Sequence, residues 1–296
     1  MNRTFHFLTA LTVGAALAAP AAGGQTLIVR GDDIGGSHGS NMGVIKAYRE
    51  GIERSTEIMT VAPWFPEAVS LLRENPGLDV GVHIVFTSEW DGYKWRPLTH
   101  CPSLCDGDGY FLRGTFPSKD YPGGSMMENR DRLDLGEIEA EMRAQIEMAK
   151  KYVPNLTHLT SHMAWCIVDP RIDEIARRLC TEYGLFYMDS AKSFMGQGGI
   201  NVKSLGFGMG VPVGERVEKF IEALSKMEKG SYYVTIDHPA VRSAEMEATS
   251  HIGYENVAED RQGVVDLWTS PVVLDYIREH GIELISFGEA VKRLTK

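Results

Sequence analysis

The sequence predicts a single α/β domain in which parallel strands alternate with helices and curl into a barrel. After residue 25, short runs rich in β-branched residues alternate with segments of helical periodicity. Aspartate and histidine recur where several of these strands end, and no internal repeat or linker divides the chain. Because consecutive parallel strands need crossover helices, this alternation predicts one barrel-like domain over residues 25–296.

The composition is that of an ordinary globular protein. The chain has 296 residues, of which 43% are hydrophobic and 24% charged, and its formal net charge is −10. This length can bury one sizeable core. The negative charge argues against nucleic acid or an anionic membrane as the main partner and fits a neutral or cationic substrate. The composition leaves the oligomeric state open.

Residues 1–24 have the layout of a secretory signal peptide. Arg3 gives a positive start, Phe7–Ala19 is apolar, and small residues follow up to a predicted cleavage site between Ala21 and Gly24. The apolar run is too short to span a membrane as a helix. We therefore expect a secreted or periplasmic mature protein that is not held in a membrane.

The expected export affects whether two cysteines, Cys101 and Cys105, can form a disulfide. They flank a short loop that contains proline, and an oxidising compartment permits a disulfide there. Two free buried thiols are the alternative, because spacing does not show whether the Cβ atoms face each other.

The first five elements follow in regular order after residue 25. Thr26–Val29 is an apolar β-branched run, and it is followed by glycine, two aspartates and two more glycines. Asn41–Gly51 has apolar residues at helical spacing and stops at glycine. Ser55–Val61 is a second β-branched run, Phe65–Glu74 a second helical segment, and Leu78–Phe86 a third strand.

Residues 87–130 interrupt this rhythm. The segment is rich in Gly, Pro, Trp, Tyr and Asp and is too long for a simple connection, which is typical of a functional excursion. Its aromatic side chains either form a stacking wall for a sugar or pack the loop onto the domain. These residues are Trp90, Tyr93, Trp95, Tyr110 and Phe111.

The second half resumes the alternation. Leu135–Tyr152 is a helix with acidic residues early and lysines late, as the helix dipole favours. Thr157–Met163 alternates as a strand, which places His158, Thr160 and His162 on one face. We interpret 189–214 as a Gly-rich loop and Ala240–Gln262 as a polar loop. The remaining predicted strands are Leu185–Met188, Gly230–Ile236 and Glu283–Ser286, and the remaining helices Asp169–Tyr183, Glu215–Met227, Val264–Leu267, Pro271–His280 and Gly288–Leu294.

Five groups that can bind a metal or carry a proton fall at the ends of four predicted strands. They are Asp32, Asp33, His83, His162 and His238. In a parallel barrel these strand ends share one mouth. One carboxylate and two imidazoles suit a divalent metal, zinc first, and the remaining carboxylate and histidine could accept and donate protons. We interpret four further histidines as structural or surface residues, namely His100, His158, His251 and His280.

Several motifs point to a known family. LIVRGDDIG, NMGVIKAYREGI, DVGVHIVFT, THLTSHM and DHPA occur in this order over nearly the whole chain after residue 25. Together they resemble the YdjC-like carbohydrate deacetylases, whose members include chitooligosaccharide deacetylases. The resemblance implies a distorted (β/α) barrel related to polysaccharide deacetylases. It also implies metal-dependent hydrolysis of an N-acetyl group on an amino-sugar-containing oligosaccharide, with release of acetate.

The resemblance also assigns roles residue by residue. Asp33, His83 and His162 match the metal ligands, Asp32 the general base and His238 the general acid. The metal is expected to be zinc, with magnesium or another divalent ion as the alternative. Substrate-binding residues are expected at Arg30, Asn41, Trp90, Trp95 and Arg96.

Two other functions remain open on the same barrel. A glycosidase could use the Asp32 and Asp33 carboxylates, although neighbours on one strand rarely straddle a bond at the roughly 5–9.5 Å that glycosidases need. A non-catalytic carbohydrate-binding protein is the second alternative, but binding alone requires no proton donor.

Overall fold

The computed structural model describes residues 24–153, 155–188, 200–208 and 210–295. Apart from Gly24, the predicted signal peptide lies outside these residues. The strands are β1 Thr26–Ile34, β2 Ser55–Ile58, β3 Asp79–Ile84, β4 Leu156–Ser161, β5 Phe186–Tyr187, β6 Val202–Ser204, β7 Tyr232–Asp237 and β8 Glu283–Ile285. The described helices are α1 His38–Glu50, α2 Phe65–Glu74, α3 Leu135–Tyr152, α4 Pro170–Tyr183, α5 Arg216–Ser225, α6 Ala244–Glu247, α7 Val257–Trp268, α8 Pro271–Glu279 and α9 Phe287–Leu294.

The strands form one curled parallel sheet, which confirms the distorted (β/α) barrel. Its order is β5-β4-β3-β2-β1-β7-β6, and every strand pair is parallel. The first part of β1 pairs with β8, and its second part pairs with β2. Within the described residues no pairing joins β5 to β6, so the sheet stays open on that side.

The apolar core lies between the sheet and its helices, while the interior of the barrel carries polar groups. Helices α2, α3 and α4 pack their apolar faces against β2, β3 and β4, and α5, α7 and α8 cover the β1 and β7 side. Within the described residues, no helix combines the length and apolarity needed to cross a membrane.

Strand β1 is longer than the sequence predicted. The glycine and two aspartates were expected to end it at Val29, yet it continues through Asp33 to Ile34. Pairing with β7 extends to Gly31, and Ile34 pairs with Ile58 of β2 after a shift of register. Asp33 takes up this shift with a positive φ of 73°. Sheet pairing on both sides therefore overrides the local turn preference.

Two other predictions need correction. Ala240–Gln262 was expected to be a loop, but it contains α6 and the beginning of α7. The Gly-rich segment contains the short strand β6, and the part of it between 189 and 199 lies outside the described residues. Of the two alternatives for Cys101 and Cys105, the structure has free thiols, both buried.

Candidate metal centre and its cavity

A cavity of about 890 Å³ opens at the carboxyl ends of the strands. Strands β1, β3, β4 and β7 deliver their terminal side chains to its wall, as expected for a parallel barrel. All five residues singled out at the strand ends line it, namely Asp32, Asp33, His83, His162 and His238. Residues far apart in the chain therefore converge in one place.

Three of these side chains form a possible metal-binding group. Asp33 Oδ1 lies 3.7 Å from His83 Nε2 and 3.4 Å from His162 Nδ1. One ligand atom of each residue lies within 4.8 Å of the others, and all three residues are buried. Within the described part of the chain, Asp33 Oδ1 has no hydrogen-bond partner despite its burial. A buried carboxylate oxygen between two imidazole nitrogens fits a divalent cation.

Two further cations surround Asp33. Its Oδ2 atom lies 3.2 Å from the Arg261 guanidinium and 3.8 Å from His238 Nε2. Burial alone would raise the pKa of the Asp33 carboxyl, but His238, His162 and Arg261 hold it well below its usual value. Asp33 is therefore ionised at neutral pH, as a metal ligand must be.

Glu89 fixes the ring of His162 from the other side. Its Oε2 atom lies 3.2 Å from His162 Nε2, so this nitrogen donates while Nδ1 faces Asp33. Burial opposes protonation of His162, but Glu89 and Asp33 raise the pKa of its imidazole to about 10. A carboxylate paired with the second nitrogen of a ligand histidine is the usual support of such a ligand.

Asp32 is held by Arg30, which precedes it by two residues on β1. Arg30 Nε donates to Asp32 Oδ1 at 2.8 Å, and a second guanidinium nitrogen donates to Oδ2 at 3.0 Å. Both side chains are buried. Only Asp32 of the two lines the cavity. Arg30 therefore supports a carboxylate of the site, and its expected contact with substrate does not agree with its position behind Asp32.

His238 lies beside Asp237 at the end of β7. Its backbone N–H donates to Asp237 Oδ1 at 2.9 Å, and its Nδ1 atom lies 3.7 Å from the same oxygen. Burial opposes protonation of this imidazole, but Asp33 and Asp237 raise its pKa above the usual value. The ring is about one third exposed, so it can meet a molecule in the cavity.

The expected substrate residues divide between cavity and interior. Trp90 lines the cavity, where it stacks on His251 with 5.5 Å between ring centroids. Asn41 is buried and bonds Gly35 N and Glu67, so it is a structural residue of α1. Trp95 is buried and donates to Thr87 O at 2.7 Å.

Arg96 also lies away from the cavity wall. It is exposed and lies over the Tyr110 ring at 4.0 Å. Of the five loop aromatics, Trp90 lines this cavity, whereas Phe111 is fully buried and Tyr93 packs edge-on against Trp95. Packing of the loop onto the domain therefore accounts for Phe111, Tyr93 and Trp95, and the stacking wall for a sugar stays a prediction for Trp90.

Sequence reasoning missed Glu89 and Arg261 and interpreted His251 as peripheral, although all three line the cavity. Glu89 lies in the irregular segment after β3, where no periodicity indicates the direction of a side chain. Arg261 lies on α7, which was interpreted as loop. The apolar spacing of Val257, Val264 and Val265 around it was the signal that could have revealed this helix.

The chain was compared with known proteins once this geometry was established. A family model described as YdjC-like protein matches residues 26–279. A carbohydrate deacetylase of Brevibacillus brevis is 29% identical over 275 residues, covering 89% of this chain and 98% of the relative. A carbohydrate deacetylase of Listeria welshimeri is 28% identical over 269 residues, covering 89% of this chain and 99% of the relative.

A solved structure shares the fold. The crystal structure of an Enterococcus faecalis protein named for cellobiose-phosphate cleavage superposes with a TM-score of 0.70 at 23% sequence identity. The alignment covers 90% of this chain and 99% of that protein. The likeness therefore supports the fold of the whole domain.

Proposed function

Because this chain belongs to the YdjC-like protein family, we propose that it is a metal-dependent carbohydrate N-deacetylase. It would hydrolyse an N-acetyl group on an amino-sugar-containing oligosaccharide and release acetate. The names of the two curated relatives support this substrate class. The observation that carries the proposal is the Asp33, His83 and His162 group in the wall of a cavity that Asp32 and His238 also line.

The donor set favours zinc as the metal. Asp33, His83 and His162 supply one carboxylate and two imidazoles, and zinc accepts such mixed nitrogen and oxygen ligands, whereas magnesium prefers oxygen. When bound, the ion would lower the pKa of a water molecule and polarise the acetyl carbonyl. Asp33 would supply negative charge, and a zinc ion with three protein ligands would keep a coordination position for water or substrate.

Asp32 acts as the general base in this proposal. Its carboxylate lies at the cavity wall next to Asp33 and takes the proton of the attacking water. Arg30 donates a hydrogen bond to each Asp32 oxygen, which fixes the orientation of the carboxylate. A base oriented in this way does not have to reorganise when the substrate binds.

His238 acts as the general acid. It directly follows β7, the strand that pairs with β1, and it lines the same cavity as Asp32 with a ring that is about one third exposed. Asp237 lies beside Nδ1, which leaves Nε2 on the side of Asp33. From there the imidazolium can protonate the departing amine as the amide bond breaks.

The cavity has room for a sugar chain. Its volume of about 890 Å³ lies within the range of small-molecule sites. Trp90, Tyr254 and Phe116 line the cavity and give flat apolar surfaces on which pyranose rings can pack. The acetamido group would point towards Asp33, His83 and His162, the possible metal-binding group of this cavity.

An acetate-release assay tests the proposal. The purified mature protein is incubated with N,N′-diacetylchitobiose and longer N-acetylated oligosaccharides, and free acetate and amine are measured. We expect both products in equal amounts, loss of activity with a chelator, and recovery on addition of Zn²⁺. The Asp33→Asn variant is the control, because it should neither retain Zn²⁺ nor release acetate.

The alternatives predict other results. Cleavage of the glycosidic bond that survives chelation would identify a glycosidase. Binding of the oligosaccharide without acetate would identify a carbohydrate-binding protein. Either result contradicts the deacetylase proposal.

We also propose that the protein is exported, supported by the signal-peptide pattern of residues 1–24. N-terminal sequencing of the protein recovered from the periplasm or culture medium tests this. The expected mature chain begins between Ala21 and Gln25. An intact Met1 on protein confined to the cytoplasm would contradict it.

A further inference from the structure

A chain of hydrogen bonds runs through the barrel interior and ends at His83. Its members alternate between carboxylate, hydroxyl and imidazole groups. Successive distances are 2.7 Å, 2.7 Å, 2.5 Å, 2.7 Å and 2.7 Å. In order, the members are Asp79, Thr157, His158, Glu57, Thr160 and His83.

The strand register brings these residues together. Glu57 of β2 is paired with Gly81 of β3, and Gly81 is paired with His158 of β4. Two residues further along the same face, His83 is paired with Thr160. Gly81 leaves the space, since a Cβ atom there would lie 2.2 Å from the Glu57 carboxylate and 2.5 Å from the His158 ring.

The direction of the hydrogen bonds at the far end is fixed by Thr157. Its hydroxyl donates to Asp79, which also accepts from Ser55 and from Gly288 N. Because the single hydroxyl hydrogen of Thr157 is donated to Asp79, Thr157 Oγ1 must accept a hydrogen bond from His158 Nδ1–H. One further proton then lies between His158 Nε2 and Glu57 Oε1.

The direction of the hydrogen bonds is also fixed at the end of the chain that lies next to the metal centre. Wherever the shared proton lies between His158 and Glu57 Oε1, Glu57 Oε2 carries none and accepts from the Thr160 hydroxyl. Thr160 Oγ1 therefore accepts from His83 Nδ1–H. The lone pair of His83 is left on Nε2, the nitrogen that faces Asp33.

We propose that Glu57 and Thr160 are positioning residues that hold His83 in the Nδ1–H tautomer and direct its Nε2 lone pair at the metal. The inference rests on the proposed function, because it takes His83 as a ligand. Second-shell partners of this kind typically change metal affinity by about 10- to 100-fold. Neither residue needs to contact substrate.

The first test measures Zn²⁺ binding by calorimetry against a competing chelator. Thr160→Val keeps the shape of the side chain but removes the hydroxyl, and we expect about 10- to 100-fold weaker binding. Thr160→Ser retains a hydroxyl and should restore binding to within about threefold of wild type. Thr56→Val is the matched control, since Thr56 is a buried threonine of β2 whose hydroxyl donates to Gly31 O.

The second test measures the wild-type protein and uses a variant only to assign one signal. The ¹⁵N spectrum of the imidazoles in metal-free wild-type protein should show His83 with its proton on Nδ1, assigned by the loss of that signal in His83→Asn. A His83 proton on Nε2 would overturn the proposal, as would unchanged Zn²⁺ affinity in a folded Thr160→Val. If Thr160→Val does not fold, the wild-type spectrum decides.

The two proposals fail separately. Normal Zn²⁺ binding with the expected Thr160 dependence, but no acetate from any glycan, would refute the deacetylase function and leave the positioning role. Normal acetate release with the wrong His83 tautomer would do the reverse.

Discussion

Replacing Asp32 by asparagine separates the proposed base from the metal centre. Asparagine has nearly the same shape but cannot accept a proton at neutral pH. Asp32 does not belong to the group of Asp33, His83 and His162, so metal binding should persist. The rate should fall about 10²- to 10⁴-fold, the usual contribution of a general base, which corresponds to roughly 2.7–5.4 kcal/mol of barrier.

The same change also costs stability, and the structure indicates how much. Asp32 accepts two hydrogen bonds from buried Arg30, and asparagine would accept one and place an amide N–H₂ against the guanidinium. Breaking a buried ion pair costs about 3–5 kcal/mol. In the variant Arg30 still has a second carboxylate nearby, since its Nε atom lies 3.7 Å from Glu57 Oε1. We therefore expect a loss of about 3 kcal/mol in the free energy of unfolding, the lower end of that range. A domain with a stability of about 5–15 kcal/mol remains folded after such a loss.

The assay measures kcat and KM for acetate release at a temperature below the unfolding transition of the variant. We expect a lower kcat with little change in KM, because the lost interaction belongs to the transition state. Zn²⁺ content is measured on the same sample, with Asp33→Asn as the variant that should lose the ion. An Asp32→Asn protein with full Zn²⁺ and wild-type kcat would show that Asp32 is not the base.

Three further predictions concern the interior and the cavity. Burial and the Asp32 carboxylate raise the pKa of Glu53 well above its usual value. The stabilising contribution of Glu53 is therefore present below the unfolded-state pKa and is lost as pH rises towards the folded-state pKa. Denaturant titrations should show a pH slope of up to about 1.4 kcal/mol per unit in that window that is absent in Glu53→Gln. Trp90→Ala should raise KM about 2- to 13-fold by removing a stacking surface, whereas Trp90→Phe should retain most of it. Gly81→Ala should lower the free energy of unfolding by about 1–3 kcal/mol, because the added methyl meets the carboxyl of Glu57.

The alternation of strands and helices was enough to predict the barrel. Strand β6 was missed because three residues carry no periodicity that distinguishes a strand from a loop. The end of β1 was wrong for a different reason. Glycine and aspartate favour a turn locally, but pairing with β2 and β7 extends the strand, and no feature of the segment itself reports those partners.

The candidate site was predictable where it depended on strand ends and not where it depended on side-chain partners. Asp33, His83 and His162 converge because parallel strands end at the same rim. Arg30 was expected to face substrate because the family resemblance places substrate at this end of β1. Alternation along β1 places it on the same side as Asp32, and a guanidinium next to a buried carboxylate binds it first.

The role inferred for Glu57 indicates a sequence signal by which such positioning residues could be predicted. A glutamate in a four-residue strand with every residue buried is costly unless something pairs with it, because desolvation opposes burial of a charge. A glycine in the neighbouring strand and a histidine in the next supply the space and the partner, but only in the register that the folded sheet adopts. Such a buried pair adds little net stability by comparison with apolar packing. The effect of the pair is felt two residues further along the strands, where His83 is paired with Thr160. Thr160 can accept a hydrogen bond from His83 only if Glu57 accepts the hydroxyl proton of Thr160.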